Sequence, residues 1–110
     1  MEWEASFPFD RHAVLSKNSA FTREEVSAFI DYCGQRGIEV IPLQNCFGHC
    51  EYILRNERYR NLRESVKDPS QVCPSKIGEA VACFSEIFAE VAALHPSDYF
   101  HIGADETYLL

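Results

Sequence analysis

A chain of 110 residues is long enough for one small domain with a modest core, and its 46% hydrophobic and 25% charged composition is that of a globular protein rather than a disordered tail. A formal charge of −7 argues against a nucleic-acid surface. No apolar run approaches the ~20 residues that a membrane-spanning helix needs.

The opening "MEWEA", ahead of "SFPF", reads as the tail of a strand. It has neither the basic start nor the apolar stretch of a secretory signal, which points to an intracellular location. Thr22 then opens a helix as its N-cap, with Glu25 completing a capping box. Val26, Phe29, Ile30 and Cys33 follow at helical spacing on one stripe, and Gly34 and Gly37 end the run. "IEVIPL" is short and β-branched, the mark of a buried strand. A short helix is expected near Glu51 to Glu57, and "LRESVKDPSQVCPS" is irregular. From about Ser75 to Leu94 the period returns through Ile77, Val81, Phe84, Phe88 and Val91, with Pro96 beyond its end. "YFHIGA" closes the pattern as a third strand. Strand, helix, strand, helix, strand implies an α/β fold built of βαβ units with a parallel sheet.

Five cysteines (Cys33, Cys46, Cys50, Cys73 and Cys83) leave one unpaired under any disulfide scheme and have no regular spacing. Reduced thiols in a cytoplasmic or nuclear protein fit best. "CFGHC" invites a zinc reading, but a structural zinc site wants a second ligand pair at a matching interval, and the sequence offers none. The four arginines of "RNERYRNLRES" are interrupted by glutamates, as on a solvated helix face.

Each expected strand runs into chemistry: the first into Glu2 and Glu4, the second into "QNCFGHC", the third into Asp105-Glu106. Helix-to-strand turns such as "QRGIE" carry no such cluster. Parallel α/β folds place their sites just past the carboxyl ends of the strands.

Three landmarks occur in order: "SFPF", "IPLQNCFGHC" and "FHIGADE". Together they resemble glycoside hydrolase family 20, the β-N-acetylhexosaminidases, in which a strand ending in Phe-Gly-His or Pro-Gly-His precedes one ending in His-x-Gly-Gly/Ala-Asp-Glu. The wording "TREEV…RGIEVIPL…FGH" and the "CPS" before the long helix are closest to the hexosaminidase D branch, which is nucleocytoplasmic. The resemblance implies a (β/α)8 TIM barrel, of which residues 1–110 would form a fragment of about three parallel strands, roughly strands two to four. Such a fragment is expected to be inactive alone.

The resemblance also implies roles. Glu106 matches the general acid, and Asp105 the residue that holds the substrate's acetamido N–H in a substrate-assisted, retaining mechanism. His49 matches a histidine that orients Glu106, Glu4 falls where an acidic residue could steady His49, and His101 could brace the strand end. Asn45 stands where many relatives have Asp or Gln, as a candidate substrate or water contact, and Ala104 replaces a commoner Gly. No metal or organic cofactor is implied. The expected partner is an N-acetylhexosamine-containing glycoconjugate or oligosaccharide, with room for a homodimer of the full-length protein. The alternatives are a metal-dependent barrel hydrolase with His49, His101, Asp105 and Glu106 as ligands, and a non-catalytic carbohydrate-binding remnant.

Overall fold

The capping box forms as expected. In the computed structural model, which describes residues 1–109, Thr22 Oγ1 accepts from Glu25 N at 3.1 Å and Glu25 Oε2 accepts from Thr22 N at 2.8 Å. Leu110, the last residue of the expected domain, lies outside the described residues. Helix α1 spans Arg23–Gly34 and buries Val26 and Ile30. Phe29 and Cys33 flank that stripe instead of completing it. Phe29 stays 41% exposed while packing edge-on to Trp3, ring centroids 5.9 Å apart.

The second expected strand lies later than "IEVIPL" suggests: β1 is Leu43–Cys46. Pro42 has no N–H to give a ladder, so regular pairing begins after it. β1 runs parallel to β2, His101–Gly103, with Leu43 opposite His101 and Cys46 opposite Gly103. Three steps along one strand meet two along the other, so the register carries a bulge-like irregularity.

The first strand is a correction. Instead of a third full strand, the described residues contain a two-stranded sheet and one parallel bridge from Glu2 to Leu43. Leu43 N donates to Met1 O at 2.9 Å and Trp3 N to Leu43 O at 3.3 Å. The line stops there because Glu4 turns into the left-handed region (φ 46°) and opens a 3-10 turn, Glu4–Ser6.

Helix α2 is short, Glu51–Leu54, and a 3-10 turn over Glu57–Leu62 replaces its expected last residues. Helix α3, Ile77–Ala93, follows a 3-10 turn at Pro74–Lys76 and buries Ala80, Phe84, Ile87 and Val91. Ile77 and Val81, expected inside, are 46% and 48% exposed. The helix is apolar on more than one face, so its period could not select the buried one. Phe7, Leu15, Ile53, Leu54 and Ile87 are fully buried in one core.

A buried polar pin crosses this core. His12, 2% exposed, meets Tyr59 Oη through Nδ1 at 2.6 Å and Glu86 Oε2 through Nε2 at 2.7 Å. It ties the segment after the first strand line and the segment after α2 to α3, and its bond holds the Glu86 carboxyl below the usual carboxylate range.

Candidate active site

Because Met1–Trp3, β1 and β2 run in one direction, the residues after them collect at a common end. Past β1 the chain reaches His49, and past β2 it reaches Asp105 and Glu106. His49 Nε2 and Glu106 Oε2 are 2.7 Å apart, with 39% and 52% of their side chains exposed. That bond is the main reason the His49 pKa rises above its ordinary value. Burial, the next largest influence, opposes it, and the charges of Asp105, Glu106 and Glu51 add to it.

Glu4 does not reach His49 as the sequence suggested. Its Oε1 and Glu2 Oε1 each accept from Asn45 Nδ2 at 2.8 Å, so one amide holds two carboxylates. Burial raises the Glu4 pKa, the Asn45 bond pulls it back, and Glu2 pushes it up again. Gln44, completely buried, accepts from Glu4 N through Oε1 at 2.7 Å, while its Nε2 has no partner among the described residues. His101 Nδ1 accepts from Gly103 N at 3.0 Å, which braces the end of β2. Glu2, Glu4, Asn45, His49, Glu51 and Asp105 line an open cleft of about 690 Å³.

The backbone around this cleft is unusual. Glu4, Phe47, His49, Ala104 and Glu106 have φ between 46° and 66°, and they are the non-glycine left-handed residues among those described. Each such residue costs about 1–3 kcal/mol and persists only because its surroundings hold it. Ala104, at φ 66°, sits where a glycine would be unstrained. Two glycines set how closely the loops approach. A Cβ on Gly48 would overlap the Asp105 carbonyl oxygen, and one on Gly103 (φ 67°) would overlap Asn45 Oδ1.

The sequence reading named His49, Asp105 and Glu106, and the structure brings them together. Their ligand-capable atoms lie within 4.8 Å of one another, and His101 is not part of that group. It missed Glu51 on the cleft wall, Gln44 behind Glu4, and Tyr108, whose phenol pKa rises beside Glu106. Only the spacing of Glu51 two residues beyond His49 could have signalled any of these.

Carboxylates and a histidine thus gather at the carboxyl end of parallel strands, where α/β proteins carry their sites. Residues 4–109 match the family model described as glycosyl hydrolase family 20, catalytic domain, and the chain belongs to that family. It is 34% identical over its whole length to hexosaminidase D of Bos taurus and 32% identical to hexosaminidase D of Homo sapiens. It spans 32% and 23% of those two proteins. A beta-hexosaminidase of Akkermansia muciniphila is 30% identical over 78% of this chain and 19% of its own length. Among solved structures, a GH20 exo β-N-acetylglucosaminidase from Vibrio harveyi, crystallised with N-acetylglucosamine, superposes with a TM-score of 0.64. The match covers 79% of this chain and 15% of that one, at 30% identity.

Proposed function

We propose that this chain carries the acid and the acetamido-orienting carboxylate of a β-N-acetylhexosaminidase, which removes terminal, non-reducing N-acetylhexosamine residues from a glycoconjugate or oligosaccharide. The observation that carries the reading is the 2.7 Å contact between His49 Nε2 and Glu106 Oε2 beside Asp105, in a family 20 chain. We read residues 1–110 as part of a (β/α)8 barrel, roughly strands two to four. The parallel order of Met1–Trp3, β1 and β2 supports that reading.

Consecutive carboxylates suit this chemistry because their tasks differ. Glu106 gives its proton to the glycosidic oxygen as the bond to the anomeric carbon breaks. The substrate's own acetamido oxygen attacks that carbon and forms a bicyclic oxazolinium intermediate, while the sugar's aglycone leaves as an alcohol. Asp105 stays ionised, accepts from the acetamido N–H, and offsets the positive charge that develops on the ring being formed. Glu106, now a carboxylate steadied by His49, takes a proton from water. That water's oxygen bonds to the anomeric carbon and reopens the ring, with net retention. The route draws on no metal or organic cofactor.

A leaving-group series on the full-length protein tests the assignment. Glu106→Gln should cost ~100-fold or more on substrates with poor leaving groups and far less on activated aryl glycosides, which leave without a proton. Asp105→Asn should lose activity whatever the leaving group, because the nucleophile itself is misaligned. If the two patterns are exchanged, so are the roles; if the unaltered protein turns over no N-acetylhexosaminide, the reading fails.

A further inference from the structure

The segment Arg63–Val72 takes no part in the chemistry proposed above, yet it touches both loops that carry it. It closes on itself through an antiparallel bridge between Arg63 and Val72 and a 3.0 Å bond from Glu64 N to Gln71 O. From this closed loop, Ser70 O accepts from Cys50 N at 2.9 Å and Val72 N donates to Phe47 O at 3.0 Å. The turn around His49 is thereby gripped on both sides. Gln71 lies between those two contacts, 2% exposed, and its Oε1 accepts from Leu109 N at 2.9 Å. Leu109 is three residues past Glu106.

A buried amide is costly unless it is bonded, and this one is committed to a backbone N–H at 38 residues' separation. Backbone strain supplies the reason. Phe47, His49, Ala104 and Glu106 are all left-handed, and β2 ends at Gly103, so the Glu106 loop has no ladder of its own to hold it. Conformations of this kind persist only where neighbouring structure over-determines them.

We propose that Gln71 is a positioning residue for Glu106. Its side-chain oxygen anchors the loop behind Glu106 while its backbone neighbours anchor the His49 turn, so one residue sets the register in which His49 and Glu106 meet. The inference rests on the hexosaminidase reading for what Glu106 does, but not for the brace itself.

Gln71→Met keeps the size of the side chain and removes the acceptor; Gln71→Glu keeps an acceptor oxygen. In the full-length protein, NMR titration of the His49 ring should show its pKa falling in Gln71→Met toward the ordinary 6.5 and staying raised in Gln71→Glu. On a poor leaving group kcat should fall about tenfold or more in Gln71→Met with KM nearly unchanged, and recover in Gln71→Glu. An unchanged His49 titration in folded Gln71→Met would overturn the proposal. Should Gln71→Met not fold, amide exchange in the unaltered protein decides: a protected Leu109 N–H supports the brace, and free exchange overturns it. If His49 responds but the unaltered protein has no turnover, the brace stands and the hexosaminidase reading falls instead.

Discussion

Gly48 has a role that its place in a Phe-Gly-His motif does not reveal. Its missing side chain leaves room for the Asp105 carbonyl oxygen, and a Cβ there would also stand 3.1 Å from the Glu106 carbonyl oxygen. Both neighbours are backbone, which cannot swing aside as a flexible side chain could. Gly48→Ala is therefore expected to part the two loops and lengthen the His49–Glu106 contact. Turnover in the full-length protein should fall ~100-fold, the scale of an ångström's misplacement of a reacting group. The His49 ring should titrate nearer its ordinary value in the same variant. A Gly48→Ala protein with unchanged turnover would show that the loops can shift without cost.

Helix α3 offers the opposite case and a tie to the sheet. A Cβ on Gly78 meets nothing within 4 Å, and no left-handed φ is present there. Gly78→Ala should stabilise the fold by about 0.5–1 kcal/mol through helix propensity and a less flexible unfolded chain, read as a raised denaturant midpoint. Just past the other end of α3, His95 Nδ1–H donates to Val91 O at 2.7 Å, so Nε2 accepts from Trp3 Nε1–H at 3.0 Å. The ring is held neutral, and burial pushes its pKa below the ordinary 6.5. A depressed folded pKa means the unfolded chain takes up the proton first. This stabilising contribution is complete above pH 6.5 and is lost as pH falls through the lower folded value. His49 has the opposite sign: its raised pKa contributes stability at low pH that disappears as pH rises. Urea midpoints followed by Trp3 fluorescence should drop on acidification below pH 6.5, and a His95→Gln variant should lose that drop. Equal pH slopes in the two proteins would remove His95 from the account.

At the scale of the whole molecule, the described residues include apolar surfaces that face solvent, two of them beside the helices. One is a groove of about 240 Å³ lined by Met1, Trp3, Phe21, Val26 and Phe29 beside α1. The other carries Ile77 and Val81 of α3, while Tyr99 and Ile102 are exposed at β2. Exposed apolar area of this kind drives association. Sedimentation velocity on this chain should show concentration-dependent self-association, reduced by Ile77→Lys with Val81→Lys. A monodisperse monomer at every concentration would show that these exposed side chains do not drive association.

What could be read from residues alone was whatever is encoded locally. The capping box of Thr22 and Glu25, the amphipathic runs of α1 and α3, and the order of α1, β1, α3 and β2 depend on residues a few positions apart. The landmarks around His49 and Asp105-Glu106 are likewise short, and their order along the chain carried the family resemblance. Everything that depended on distant segments meeting was decided by the tertiary structure. Pro42 delayed β1, a turn at Glu4 cut the first strand to a bridge, and a helix apolar on several faces chose Ala80 and Ile87 over Ile77 and Val81. Glu4 went to Asn45 rather than His49, and Gln71 reached Leu109 across 38 positions. The reason is the same throughout. Periodicity and capping are set by bonds within one element, whereas close approach, left-handed backbone and shared hydrogen bonds exist only once separate elements are packed against each other.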